Sequence, residues 1–159
     1  MRLSLPFGIA VAACAALLAG AAAPGWLGTD AGVLVREAYS VLCHQLPHRS
    51  PHVGGAPWAL CHRCTGIAAG LALGLLAVPA LPTALRTRIA GLHAGRLVAL
   101  SLLPMAVDWL LGASGLWTNT PLSRTATGAV FGVAVGVVLG VALLRTRPPS
   151  APISNLLLP

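Results

Sequence analysis

The sequence predicts an all-α integral membrane protein: a four-helix transmembrane bundle with a Cys/His-rich loop between the first and second spans. Of its 159 residues, 57% are hydrophobic and only 8% are charged, and the mean hydropathy is +0.85. Soluble domains usually carry about 25% charged residues, so this chain needs an apolar solvent for much of its exterior. The apolar residues also fall into four runs whose lengths approach that of a bilayer-spanning helix.

The net charge of +7 comes from ten arginines and no lysine, against three acidic residues. The arginines stand singly between apolar runs and the aromatic content is only 4%, which argues against a nucleic-acid surface. Arginines that flank apolar spans are typical of cell-membrane proteins, in which they hold short loops in the cytoplasm. The expected partner is therefore the lipid bilayer.

The first predicted span covers residues 3–23, close to the roughly 20 residues needed to cross a bilayer core. Two alternatives stay open, because its alanine-rich end is compatible with a signal-peptidase site and Val11-Ala12-Ala13-Cys14 resembles a lipoprotein box. Cleavage at Cys14 would leave a hydrophobic tail with no evident purpose. We therefore expect an uncleaved span in which Cys14 is a small buried apolar residue.

Residues 24–64 form a long extramembrane connection. A short amphipathic helix is predicted at residues 30–43. Three prolines and Gly54-Gly55 then break regular structure, so the Cys/His-rich part of the connection is expected to be irregular.

The other three spans are predicted at residues 65–81, 97–112 and 125–144. Residues 1–147 then make a single transmembrane domain, and the proline-rich tail, residues 148–159, is expected to be disordered.

Glycines recur every four residues in the second and fourth spans. They are Gly66, Gly70 and Gly74, and Gly128, Gly132, Gly136 and Gly140. Small residues at this spacing line one helical face and let two backbones approach closely. The pattern predicts a tight bundle, with a homo-oligomer or a membrane complex through these faces as the alternative.

Four spans place both termini on one side of a membrane. Six arginines fall on the side of the termini and four on the side of the Cys/His-rich loop, with the densest cluster in the short connection at residues 82–96. This distribution predicts a multi-pass protein of the cell membrane with cytoplasmic termini, and an outward-facing Cys/His-rich loop.

Three of the four cysteines and four of the five histidines lie within residues 43–64. Cys61 and Cys64 form a Cys-x-x-Cys pair, and two such thiolates can reach one tetrahedral centre at about 2.3 Å each. Cys43 offers a third thiolate and His44 a fourth ligand. The leading hypothesis is therefore a metal site, with zinc as the metal, formed by these four residues.

The same Cys61–Cys64 pair is also compatible with a redox dithiol. A helix N-terminus near Cys64, with Arg49 and Arg63, would stabilise a thiolate, and an outward location would favour disulfide chemistry. A third possibility is structural: the cysteines pin the loop to the bundle, and the chain is an accessory subunit of a membrane complex. The residues alone identify no reaction.

Asp108 is an acidic residue within the apolar third span. Intramembrane carboxylates are costly and usually face a partner or a functional cavity. We expect a polar network at the outer end of the bundle, with Arg124 as the first candidate partner of Asp108. Its predicted members are Arg49, Arg63, Asp108, Asn119 and Arg124.

Two strings of residues carry a family resemblance. Cys43-His44-Gln45-x-Pro47-x-Arg49-Ser50, followed by Cys61-x-Arg63-Cys64-x-Gly66, resembles the predicted membrane protein family named domain of unknown function 2085. Pro104-x-x-x-Asp108 and Asn119-Thr120-Pro121-x-x-Arg124-x-x-Thr127-Gly128 are also similar to its pattern, and the resemblance covers residues 39–140. Trp109 departs from it, since many members have glycine there. Among the loop histidines only His44 belongs to the pattern, which ranks His48, His52 and His62 below it as ligands. The resemblance implies a set of residues and no reaction.

Overall fold

The computed structural model describes residues 4–145 as a mostly helical chain. Four helices are long and apolar enough to cross a membrane, which confirms the predicted fold class. These are α1 (Leu5–Ala22), α3 (His62–Ala77), α5 (Ala94–Ala113) and α6 (Pro121–Arg145), with shorter helices α2 (Thr29–Tyr39) and α4 (Thr83–Gly91) and strands β1 (His52–Val53) and β2 (Ala56–Pro57). The tail at residues 148–159 lies outside the described residues.

The glycine faces of α3 and α6 pack against each other, and the two helices run parallel. A Cβ at Gly66 or Gly70 would collide with backbone atoms of Thr125 or Ala129, and one at Gly132 would collide with those of Ile67. Only glycine permits this approach, in which dispersion and weak Cα–H···O contacts replace side-chain packing. The two stripes thus cover each other within one chain.

Helix α1 flanks α3 and contributes one buried residue every seven positions: Phe7, Cys14 and Ala21. Phe7 and Cys14 pack against Leu75 of α3, and the Ser4 hydroxyl donates to the carbonyl of Leu143 at 3.2 Å. Helix α1 is therefore part of the bundle core, and Cys14 is buried as expected. Helix α5 packs mainly against α6, and much of its apolar surface is exposed to the surrounding solvent.

The helix order places the α1–α3 connection and the α5–α6 connection at one end of the bundle. We call this the polar end and define it as residues 23–64 and 112–124. Both α3 and α6 begin there. Helix α4 lies in the connection at the opposite end.

Three local features differ from the sequence expectation. Helix α4 lies where the sequence predicted a loop. Its residues show no apolar periodicity from which a helix could be predicted. Helix α2 ends at Tyr39 and does not continue to residue 43 as predicted. The Tyr39 hydroxyl donates to the Leu17 carbonyl of α1 at 2.8 Å, so the chain turns towards the bundle before Cys43. Strands β1 and β2 flank Gly54 and Gly55, whose φ values of +58° and +79° give the two-residue turn that glycine favours in hairpins.

Candidate functional site

Three cysteine thiols converge at the polar end. The Sγ atoms of Cys43, Cys61 and Cys64 all lie within 4.8 Å of one another, and none of these cysteines forms a disulfide. Cys61 precedes the first turn of α3 and Cys64 lies within it, while Cys43 arrives from the turn after α2. A tetrahedral ion bound at about 2.3 Å by each sulfur requires S···S separations of about 3.8 Å, so this cluster is close to a ligating arrangement.

Backbone amides hold the Cys43 sulfur in place. It accepts the N–H of Cys61 at 3.3 Å and the N–H of Gln45 at 3.5 Å. Such outer contacts orient metal-binding residues. Cys43 is 6% exposed, packed near Ala21 and Leu60, so its position is fixed from the core side as well.

The chain between Cys43 and the next turn is clamped by Arg36 of α2. Gln45 has a φ of +51°, which costs a non-glycine residue roughly 1–2 kcal/mol. Reciprocal contacts offset this cost: the Gln45 side-chain amide donates to the Arg36 carbonyl at 2.5 Å, and the Arg36 guanidinium donates to the Gln45 carbonyl at 3.2 Å. Arg36 also donates to the Pro57 carbonyl at 3.1 Å, so one side chain joins α2, the cysteine turn and the hairpin.

The local electrostatics favour a thiolate at Cys61. A hydrogen bond from the Cys64 thiol lowers the pKa of Cys61 to about 5, against the opposing effect of its burial. Cys61 also stands at the N-terminus of α3, where the positive end of the helix dipole stabilises negative charge.

The histidines do not join this cluster. His44 is exposed and lines the neighbouring cavity, and within residues 4–145 no histidine or acidic side chain completes a fourth position beside the three sulfurs. His48 lies in a single 3₁₀ turn and accepts a hydrogen bond from Arg49 at 3.2 Å. His52 lies in β1, with its Nδ1 3.0 Å from the Ser50 carbonyl.

Asp108 pairs with Arg63 and not with Arg124, so the prediction of Arg124 as its partner was wrong. The Arg63 guanidinium lies 2.5 Å from the Asp108 carboxylate, and Asp108 is 7% exposed. The Asn119 side-chain amide donates to the Asp108 backbone carbonyl at 2.5 Å. Both arginines lie at the same end of the bundle, but among the described residues only the Arg63 guanidinium comes within ion-pair distance of Asp108.

A cavity of about 850 Å³ opens beside the thiol cluster. Its wall includes the three cysteines and His44, the predicted network residues Arg49, Arg63, Asn119 and Arg124, and an apolar portion with Met105, Trp109 and Trp117. Sequence reasoning missed the apolar portion, because isolated tryptophans and methionines in a membrane span carry no signal of a cavity. It also gave Gln45 no structural role, since a side chain that clamps a neighbouring helix leaves no periodic pattern.

Comparison with known proteins adds a family but no activity. The family model described as predicted membrane protein (DUF2085) matches residues 43–138, which include every predicted metal-site and network residue. An uncharacterized protein of Methanocaldococcus jannaschii, MJ1492, is 33% identical over 103 residues, or 65% of this chain. The match spans 64% of that relative's length. No solved structure matches the chain.

Proposed function

This chain belongs to the predicted membrane protein family of domain of unknown function 2085, and we propose that it holds one soft divalent metal ion, zinc in the first instance, through Cys43, Cys61 and Cys64. The observation that carries the proposal is the convergence of three sulfurs within 4.8 Å. They come from two separate segments, and Cys-x-x-Cys proximity alone would not bring Cys43 to the same point.

The donor chemistry supports this assignment. Soft thiolates select zinc-like metals, and a bound dication lowers the cost of holding three sulfurs so close at the mouth of a membrane span. The N-terminus of α3 at Cys61 favours the ionised sulfur there.

Three protein ligands leave a fourth position on a tetrahedral ion. Structural zinc sites are normally closed by four protein ligands, whereas sites that act on a substrate keep one position open. All three cysteines line the cavity, so the fourth ligand would come from it, as water, substrate or a side chain such as His44. We assign His44 to this wall and not to the obligatory ligand set.

Metal analysis of the purified protein tests the site. We expect close to one equivalent of metal per chain, lost on Cys43→Ser, Cys61→Ser or Cys64→Ser. Cys14→Ser is the matched control, because Cys14 packs between α1 and α3 away from the cluster, and it should retain the metal. His44→Ala should also retain it. Metal-free protein after gentle isolation would refute the proposal.

A thiol–disulfide oxidoreductase is the second candidate, favoured by the hydrogen bond between the Cys64 and Cys61 thiols. Oxidation of the pair would form one S–S bond and release two protons and two electrons, so it requires a membrane electron acceptor of the quinone class. Mass spectrometry of alkylated protein distinguishes the two functions, because a Cys61–Cys64 disulfide in metal-free protein supports this candidate. If no Cys61–Cys64 disulfide forms and none of the cysteine changes alters the metal content, only a structural or accessory role is left.

We also propose cytoplasmic termini, supported by the arginines of α4 at the end opposite the cysteines. Reporter fusions after Leu81 and after Gly115 should report the cytoplasm and the exterior, respectively. The reverse pattern would overturn this orientation and place the thiols in a reducing compartment.

A further inference from the structure

We propose that the cavity at the polar end binds a phosphate-class oxyanion, held by Arg49, Arg63 and Arg124. The inference rests on these arginines and on the shape of the cavity, and it does not require a bound metal.

The cavity wall is more cationic than the neighbouring Asp108 carboxylate can balance. Three guanidinium groups line it, and Asp108 pairs with Arg63. No carboxylate among residues 4–145 lies within ion-pair distance of Arg49 or Arg124. Arg49 and Arg124 thus have no paired carboxylate. Arg124 is partly buried at the end of a bundle that has an apolar exterior, where unpaired charge is costly.

Donors at this wall also lack acceptors. The Nε atoms of Arg63 and Arg124 are buried and have no hydrogen-bond partner in the described part of the chain. A buried donor without a partner is costly, and guanidinium groups match the geometry of phosphate oxygens. An oxyanion in the cavity would supply the missing negative charge beside them.

The two central helices add to the same potential. Helices α3 and α6 both begin at the polar end, and the N-terminal end of a helix dipole attracts anions. A dication with three thiolate ligands carries one negative charge in total, which is less than the positive charge of the three guanidinium groups, so the cavity stays cationic in the metal-bound protein.

The remaining wall is apolar and aromatic, with Leu42, Met105, Trp109 and Trp117. A cavity of about 850 Å³ is in the range that holds a drug-sized ligand, well beyond the needs of a free inorganic ion. The combination fits an oxyanion that carries an apolar chain, such as the phosphate headgroup of a lipid. Free phosphate shares the charged chemistry and is the other source.

Quenching of tryptophan fluorescence measures this binding in the full-length protein. The protein is placed in phosphatidylcholine nanodiscs containing either brominated phosphatidic acid or brominated phosphatidylcholine. We expect phosphatidic acid to quench at about tenfold lower lipid fraction, the effect of one charge-assisted contact. Replacing Trp109 and Trp117 by Phe should remove this selective quenching, while Trp26 and Trp58 remain as reporters.

Variants of single arginines locate the binding site. Arg49→Gln and Arg124→Gln should each abolish the preference for phosphatidic acid, whereas Arg88→Gln and Arg96→Gln, exposed at the other end of the bundle, should leave it unchanged. Inorganic phosphate that competes at millimolar concentration would assign the site to free oxyanions, and no competition would assign it to lipid-borne ones.

Equal quenching by both lipids in the unaltered protein, without competition by phosphate, would overturn the inference whether or not any variant folds. Equal loss of preference on Arg88→Gln would also overturn it, because that pattern indicates a general surface charge. Protein that is metal-free after gentle isolation and still selects phosphatidic acid would refute the metal proposal and leave the oxyanion inference standing.

Discussion

The middle of the α3–α6 pair and its N-terminal end are formed by the same two helices, yet they pack in opposite ways. In the middle, glycines bring backbone against backbone with no room for a Cβ. At the end, a cavity of about 850 Å³ is lined by Cys61 just before α3, by Arg63 and Cys64 of α3 and by Arg124 of α6. Small residues therefore set the spacing of the two helices. Because the helices are so close, the long polar side chains at their ends extend outward, towards α5 and the connecting loop, where they find partners.

The largest effect is expected from filling the packed region. Gly70→Leu or Gly132→Leu would force the two backbones apart, since even a Cβ collides there with backbone that cannot move away. Overpacking of a core costs about 1–3 kcal/mol when side chains can adjust, and a collision with backbone should exceed this and abolish the folded bundle. Loss of a cooperative thermal transition in detergent is the measurement.

The matched control for this change is Gly8→Leu in α1, where an added Cβ meets nothing within 4 Å. It should fold with a near-normal melting temperature. Equal damage from Gly8→Leu would show that glycine matters for the span itself and not for the α3–α6 contact, and would break the contrast between the two regions.

A smaller loss is expected from breaking the ion pair at the open end. Asp108→Asn should destabilise the protein by about 3 kcal/mol, because it leaves the Arg63 guanidinium partly buried without its carboxylate. Arg63 retains 23% exposure, which favours the lower end of the range for buried pairs. The measurement is the free energy of unfolding in detergent.

A double-mutant cycle sharpens the assignment. Asp108→Asn and Arg63→Gln should be coupled by more than about 0.5 kcal/mol, the limit within which distant sites add. The coupling of Asp108→Asn with Arg124→Gln should be weaker, since the two side chains share a neighbourhood but no ion pair. Stronger coupling with Arg124 would reject the pairing described here.

Much of the site could be named from the sequence, because residue type decides it. Thiols, guanidinium groups and a carboxylate stand out in a chain with 8% charged residues, and helical spacing places Cys61, Cys64 and Asp108 near the ends of their spans. The same local reasoning predicted close helix packing through glycines. The sequence did not predict which helix each glycine stripe contacts, since a stripe of glycines specifies a smooth helical face but not the helix that packs against it.

The sequence by itself determined the membrane class, the four spans and the chemical groups of the polar end, because hydropathy, length and residue type are local properties. Only the tertiary structure decided that α3 pairs with α6, that Arg63 and not Arg124 meets Asp108, and that His44 lies outside the cluster of three cysteines. Each of these depends on the distance between segments far apart in the chain. That distance follows from the glycine contact, the turn at Gln45 and the packing of α1, all acting together.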